Sequence, residues 1–331
     1  MHPIQIIILI LLAATLFILL ASFICFMLVF YSGKRKKIPE GEHDYPDGKP
    51  YEEFYGQIDA WQDALRQLDC EEIEIRSRDG LILRGKFYKY AEGAPIEIMF
   101  HGYRGSATRD LCGGVERCFK LGRSTLIVDQ RAHGDSEGHV ITFGEREKLD
   151  CLDWIDYAYN RFGKEQVLII TGISMGAATV LLASGEPLPE NVLCVLADCG
   201  YSSTQEIICK VLRDIHLPAP IFYPFIRLGA IIYGGFDPDE CNPIDAVQKS
   251  KIPIIFVHGD SDGFVPCYMS EQMYEACSSA KSIYIAKGAD HGLAFPKDQE
   301  AYYAAVRDFE QVWKKINLYG AKSFRCSQKA T

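Results

Sequence analysis

Charge is missing from the start of the chain: no Lys, Arg, Asp or Glu precedes Lys34. Within that stretch Ile6 to Tyr31 is an almost wholly apolar run of 26 residues. At about 1.5 Å per residue, a helix of that length exceeds the roughly 30 Å hydrocarbon core of a bilayer, so it is long enough to span with some tilt. Also missing is any C-x-x-C pair, and no Cys/His cluster has the spacing of a zinc site. The 12 cysteines form a disulfide framework only if the domain is exported; several, such as Cys194 and Cys209, sit in or beside apolar runs. They read as buried free thiols of a reducing compartment. Excess positive charge is lacking too. Setting aside Lys34 to Lys37, the 35 basic residues fall to 31 against 44 acidic ones, so the body is near −13 and nucleic acid is an unsuitable partner. There is no internal repeat, and no low-complexity tract beyond the apolar run.

What is present is a globular body with an attachment. At 331 residues and 48% hydrophobic, the chain can bury a substantial core. A cleaved secretory signal competes with an anchor as the reading of the apolar run. A signal calls for a basic segment before a shorter apolar stretch and a small-residue cleavage site. Here the basic cluster, Lys34-Arg35-Lys36-Lys37, comes after a long run, and the positive-inside rule then leaves the C-terminal side in the cytoplasm. The expected organisation is an N-out, C-in anchor at 1–33, a basic and polar linker at 34–50, and a catalytic body at 51–331.

Pro39 to Pro50 is polar and turn-rich and reads as a short linker off the membrane. Tyr51 to Leu68 carries apolar residues three and four apart, which predicts a helix on the domain's edge. Glu71 to Arg76 and Leu81 to Tyr88 alternate around Arg78-Asp79-Gly80, a β-hairpin pattern. Beyond it, buried strands at Ile96 to Phe100, Thr125 to Val128, Val167 to Ile170, Val192 to Leu196, Ile252 to Val257 and Ser282 to Ile285 alternate with helical stretches. The last helix is expected over Gln299 to Ile316. This rhythm implies a mostly parallel, doubly wound sheet with its sites at the C-terminal ends of the strands. One segment breaks the rhythm: 201–240, aromatic and proline-punctuated, is expected as a helical cap over the site. Its apolar face is either a substrate wall or packing for the cap.

Gly172-Ile173-Ser174-Met175-Gly176 sits between a β-branched run and a helix-forming run. That is the setting of a nucleophile elbow, in which flanking glycines let strand and helix pass close while a strained serine projects its hydroxyl. A serine hydroxyl needs a base, and an imidazole needs a carboxylate to hold its tautomer. Late in the chain His258-Gly259-Asp260-Ser261-Asp262 offers two carboxylates after one strand, and Gly288-Ala289-Asp290-His291-Gly292 offers a histidine after the next.

In order and placement these motifs resemble the α/β-hydrolase superfamily, in its broad esterase, lipase and serine-aminopeptidase-like branch, over about residues 70 to 317. The resemblance implies an α/β-hydrolase fold with a cap. It assigns Ser174 as nucleophile and His291 as base. It matches Asp262 to the acid of the H-G-x-x-D-x-x-V-P motif and leaves Asp260 to shape the turn. Because His101-Gly102-Tyr103 resembles the H-G-x motif, the oxyanion donors are implied to be the backbone N–H groups of Tyr103 and Met175. Asp129 to Gly138 resembles the D-x-R-x-H-G-x-S segment, in which His133 precedes the nucleophile and is structural, as is His101, while Arg131 and Asp135 brace the loop. His43, His139 and His216 read as surface residues.

The resulting expectation is a membrane-anchored serine hydrolase of carboxylic esters, with a small-molecule or lipid ester as substrate and no metal or organic cofactor. A peptidase or an acyltransferase with the same triad, and a noncatalytic scaffold, are the alternatives. The charge pattern also yields a topology: external protease applied to intact cells should leave the body uncut. Digestion of the body from outside would reverse the orientation.

Overall fold

The structure, a computed structural model, describes residues 2–33, 38, 39 and 41–311. Helix α1, Pro3–Val29, is 27 residues long, and by length and composition it is apolar enough to cross a membrane. A 3₁₀ turn, Lys49–Phe54, leads into α2, Tyr55–Gln67. Strands β1 (Glu71–Arg76), β2 (Ile82–Tyr88) and β3 (Ile96–Phe100) follow, then α3 (Ala107–Asp110), α4 (Cys112–Lys120) and β4 (Ser124–Val128). The centre of the chain is α5 (Glu147–Phe162), β5 (Leu168–Ile173), α6 (Met175–Ser184) and β6 (Val192–Asp198). Helices α7 (Thr204–Asp214) and α8 (Ala219–Gly229), the latter continued by a π turn at Ala230–Gly234, make up the helical part of the expected cap. Then come α9 (Pro243–Val247), β7 (Ile254–Gly259), α10 (Tyr268–Ala276), β8 (Lys281–Ala286), α11 (Ala294–Lys297) and α12, over 299–311. Lys34 to Lys37 and the expected end of the last helix at Ile316 lie outside the described residues.

The eight strands form one sheet in the order β1-β2-β4-β3-β5-β6-β7-β8. β1 and β2 pair antiparallel, as do β2 and β4, and all later neighbours pair parallel. The pattern follows from burial. β1 has an exposed face and alternates, whereas β3, β4 and β7 are buried at every position and are mostly apolar. This is the α/β-hydrolase fold. One face of the sheet is covered by α5, α6 and α10 and the other by α2, α4 and α12.

Glu97 interrupts the apolar run of β3 and is fully buried. Arg117 and Arg123 (2.6 Å) both donate to it, Thr171 Oγ1 donates at 2.6 Å, and Arg123 reaches on to Glu310 of α12. Burial opposes the charge on Glu97, but the two guanidinium groups prevail and hold its carboxyl down to about 2. The network ties β3, α4, β5 and α12 together beneath the site.

The polar stretch at 39–50 is not a free spacer where it is described. Asp44 exchanges hydrogen bonds with the Gln62 side chain, and the Tyr45 ring lies 4.1 Å from that of Tyr55, so the stretch folds back along α2. The end of α1 is likewise built into the body. Phe30 is fully buried between Phe143 and Phe236, with ring centroids at 5.7 and 5.1 Å, and Tyr31 bridges to Val140. Farther out, Phe17 meets Phe225, and the backbone at Ser22 passes close to Gly229, so α8 lies along α1. Removing a fully buried phenylalanine ring costs about 3–5 kcal/mol. Phe30→Ala should therefore destabilise the detergent-solubilised protein by that amount in chemical denaturation. A loss below about 1 kcal/mol would mean that the helix end is not part of the core.

Candidate active site

The turn from β5 into α6 is tight enough to exclude a side chain at either glycine. A Cβ on Gly172 would lie 2.0 Å from the Gly176 carbonyl oxygen, and one on Gly176 would lie 2.1 Å from that of Phe100. Ser174 between them is held at φ 56°, ψ −117°, a conformation costing roughly 1–3 kcal/mol that the surrounding structure must impose. Its own N–H is fixed by the Asp198 carbonyl at 2.8 Å.

Ser174 Oγ–H donates to His291 Nε2 at 2.9 Å, and His291 Nδ1–H donates to Asp262 Oδ2 at 2.7 Å. Three chain segments more than a hundred residues apart at their extremes thus meet in one hydrogen-bonded line. Asp262 is anchored from both sides. Its Oδ1 accepts the N–H groups of Phe264 (2.9 Å) and Val265 (2.8 Å), and its Oδ2 lies 3.2 Å from Nε2 of the buried His258. Burial works to raise its pKa, but the hydrogen bonds from His258 and His291 hold the carboxyl well below the ordinary carboxylate range. Asp260 is elsewhere, accepting the Gly288 N–H at 2.6 Å, which is turn-shaping. Asp290 joins the two loops by accepting the N–H groups of Gly263 (3.0 Å) and His291 (2.7 Å).

The loop after β3 approaches Ser174 closely, since a Cβ on Gly102 would come 3.5 Å from that of Ser174. The Gly102 N–H donates to Asp110 Oδ2 at 3.2 Å and the Arg104 N–H to His133 Nε2 at 2.9 Å. Between them the Tyr103 N–H, like that of Met175 at the start of α6, has no protein acceptor among the described residues. Two free N–H groups, one backed by a helix dipole, are what an oxyanion needs. The Tyr103 hydroxyl donates to the Val29 carbonyl at 2.6 Å, and the Arg104 guanidinium to that of Leu28 at 2.8 Å, so this loop caps the end of α1.

His101 and His133 support the loop. His101 Nδ1–H donates to the Gly102 carbonyl (2.7 Å) while its Nε2 accepts the Gln130 N–H (3.0 Å). Burial, with His101 beside it, pushes His133 down to about 3, so it is neutral, donating from Nδ1–H to the Arg131 carbonyl at 2.8 Å and accepting the Arg104 N–H at Nε2. Arg131 braces the same region through paired hydrogen bonds to Asp150 and Asp79. Asp135 is exposed and gives its N–H to Asp129. His43 finds Asp63 at 2.9 Å, and His139 stacks on Tyr31.

A cleft of about 600 Å³ opens at Ser174 and His291. Among the described residues that line it, none belongs to 201–240. The expected apolar wall is elsewhere: Tyr223, Ile226 and their neighbours pack against Phe26, Phe30 and Met175 instead. The apolar lining of the cleft is Tyr51, Ile58, Trp61, Met99, Leu111 and Phe295, with the Trp61 and Phe295 rings stacked at 5.5 Å. Tyr51 was legible as part of a helical pattern, but not as a residue whose hydroxyl donates to the His291 carbonyl at 2.9 Å. Asp198 also lines the cleft, and the only signal for it was a carboxylate at a strand's C-terminal end.

Residues 98–215 match the model of the alpha/beta hydrolase fold family, which takes in Tyr103, Ser174 and Met175, and residues 204–301 match that of the serine hydrolase (FSH1) family, which takes in Asp262 and His291. The uncharacterized protein YqkD of Bacillus subtilis is 30% identical over 248 residues, 75% of this chain and 81% of that protein. The chain belongs to the α/β-hydrolase superfamily. A more distant relative is the protein bem46 of Schizosaccharomyces pombe, 22% identical over 73% of this chain and 77% of its own length. Among solved structures, the Pyrococcus furiosus esterase Pf2001 superposes with a TM-score of 0.63 at 20% identity, covering 85% of this chain and 99% of that one, a likeness of fold.

The two carboxylates are separable by turnover. Asp262→Asn should lower kcat on any accepted ester by about 10⁴, by leaving the imidazole in the wrong tautomer. Asp260→Asn should cost less than about tenfold, since it loses only a turn contact. Equal losses, or the reverse order, would reassign the acid.

Proposed function

We propose that the protein is a serine hydrolase of carboxylic esters, of the esterase, lipase and serine-aminopeptidase-like branch, working through an acyl-enzyme. The observation that carries this reading is the line from Ser174 to His291 to Asp262 beside two free N–H groups. Ser174 Oγ attacks the carbonyl carbon as His291 Nε2 takes its proton, and Asp262 stabilises the resulting imidazolium. The tetrahedral oxyanion is held by the Tyr103 and Met175 N–H groups. The ester C–O bond then breaks, His291 protonates the departing alcohol, and an acyl-Ser174 ester remains. Water attacks that ester, giving a proton to His291, which returns it to Ser174 Oγ as the acid leaves. A binding scaffold has no need of all three side chains in this arrangement.

The protein is proposed to be anchored by α1, with the body on the cytoplasmic side. Its support is that Phe26 and Phe30 belong to the core, so cleavage of α1 as a signal would leave a void there. The substrates are proposed to be lipophilic acyl esters. The support for this is the cleft under α2, where Ile58, Trp61, Met99, Leu111 and Phe295 offer an apolar wall. Burying an acyl chain there contributes about 0.8 kcal/mol per methylene.

Ser174→Ala and His291→Ala should each lower kcat by about 10⁶ with the protein still folded, because triad members act as a unit. Wild type should be labelled by a fluorophosphonate probe and Ser174→Ala should not. If wild type stays unlabelled beside a labelled control hydrolase, the catalytic reading fails. Among p-nitrophenyl esters of two to twelve carbons, kcat/KM should rise with chain length. A steep fall beyond four carbons would overturn the lipophilic substrate while leaving the triad in place.

A further inference from the structure

We propose that the inner part of the cleft is a subsite for a hydrogen-bond donor on the acyl chain, a hydroxyl or an ammonium group, received by Asp198. The proposal rests on the ester-hydrolase reading above and adds a substrate feature to it.

Asp198 ends β6 and pairs in register with Ile173, the residue before the nucleophile. Neighbouring strands lie about 4.8 Å apart, so the carboxyl is within a few bonds' reach of a carbonyl bound at Ser174. Its side chain is 94% buried by exposure of only 6%, and it lines the cleft. Oδ2 accepts the Tyr302 hydroxyl at 3.0 Å, but Oδ1 has no partner among the described residues. A buried carboxylate oxygen left unpaired is expensive, and a donor reaching it from the cleft that Asp198 lines would relieve that cost.

The charges nearby favour the same ligand. Glu97 and Glu310 are matched by Arg117 and Arg123, whereas Asp198 has no ion-pair partner among the described residues. Thr171, Arg117 and Tyr302 complete the polar inner end, below the apolar wall under α2. The cleft thus offers an apolar surface for a chain and one acceptor close to the carbonyl. The groups acting on Asp198 are Tyr302, His258, Arg117 and His291, all of which favour its ionised form; burial outweighs them and raises the carboxyl to about 6. It gains its negative charge as the pH rises through that value, and with it the attraction for a cation.

The test uses the full-length protein and three p-nitrophenyl esters of equal length: octanoate, 3-hydroxyoctanoate and 3-aminooctanoate. For wild type at pH 7.5, roughly, at least one donor-bearing ester should exceed octanoate in kcat/KM by about tenfold or more. A preference for the hydroxy ester identifies a hydroxyl, and one for the amino ester an ammonium group. In the isosteric Asp198→Asn the ratio of that ester to octanoate should fall about tenfold. In wild type any preference for the amino ester should also grow from about pH 5 to about pH 7, and in Asp198→Asn it should be flat. If wild type treats the three esters alike, or Asp198→Asn leaves the ratio unchanged, the subsite is wrong. If wild type cleaves none of them and takes up no fluorophosphonate, the ester-hydrolase reading itself has failed.

Discussion

The close approach of β5, α6 and β3 at the Ser174 turn is the constraint on which the site depends. With Gly172 against the Gly176 carbonyl and Gly176 against that of Phe100, no atom beyond Cα fits at either position. The chain can then pass from strand to helix only through a strained serine, which presents its hydroxyl at the sheet's C-terminal edge. The cost of that strain is offset by the apolar packing of α6, whose residues are all buried. The groups arrayed around Ser174 come from the ends of the other parallel strands: the Tyr103 loop from β3, Asp198 from β6, His291 from β8 and, behind His291, Asp262 from β7.

Those strand ends are held in register from below and from the N-terminal side. Below, the ion pairs of Glu97 with Arg117 and Arg123 join sheet to helices where a hydrophobic core would offer less directional restraint. From the other side, Tyr103 and Arg104 grip the last turn of α1 through its unpaired carbonyls. The same loop therefore presents the free Tyr103 N–H to the site and caps the apolar helix. A helix joined in this way is a part of the folded body, and Ser174 lies one loop away from its end.

Segments with a strong local signal were legible. The strands β3 to β7 stand out as runs of β-branched and aliphatic residues because both faces of a parallel sheet are buried, and the elbow stands out because only glycine fits its flanks. The separation of Asp262 from Asp260 was legible only through a family motif, since both follow β7. Physically it is decided by which carboxyl reaches His291 and which reaches the Gly288 N–H. The role of Leu217 to Phe225 stayed open between substrate wall and packing, because an apolar stretch carries no mark of its partner. In the fold its neighbours include α1, equally apolar and nearly two hundred residues earlier.

The amino-acid order alone determined the class of sheet, the strained serine, the histidine and the presence of a bilayer-length helix, since each of these arises from local pattern or steric necessity. Tertiary structure alone decided what surrounds them. That 39–50 folds along α2, that Tyr51 reaches the His291 carbonyl, that α8 serves α1 and leaves the cleft to α2, and that one oxygen of Asp198 stays unpaired are all long-range facts. They depend on which of many similar apolar and polar surfaces meet, a choice made by the packing of the whole chain and by no segment of it.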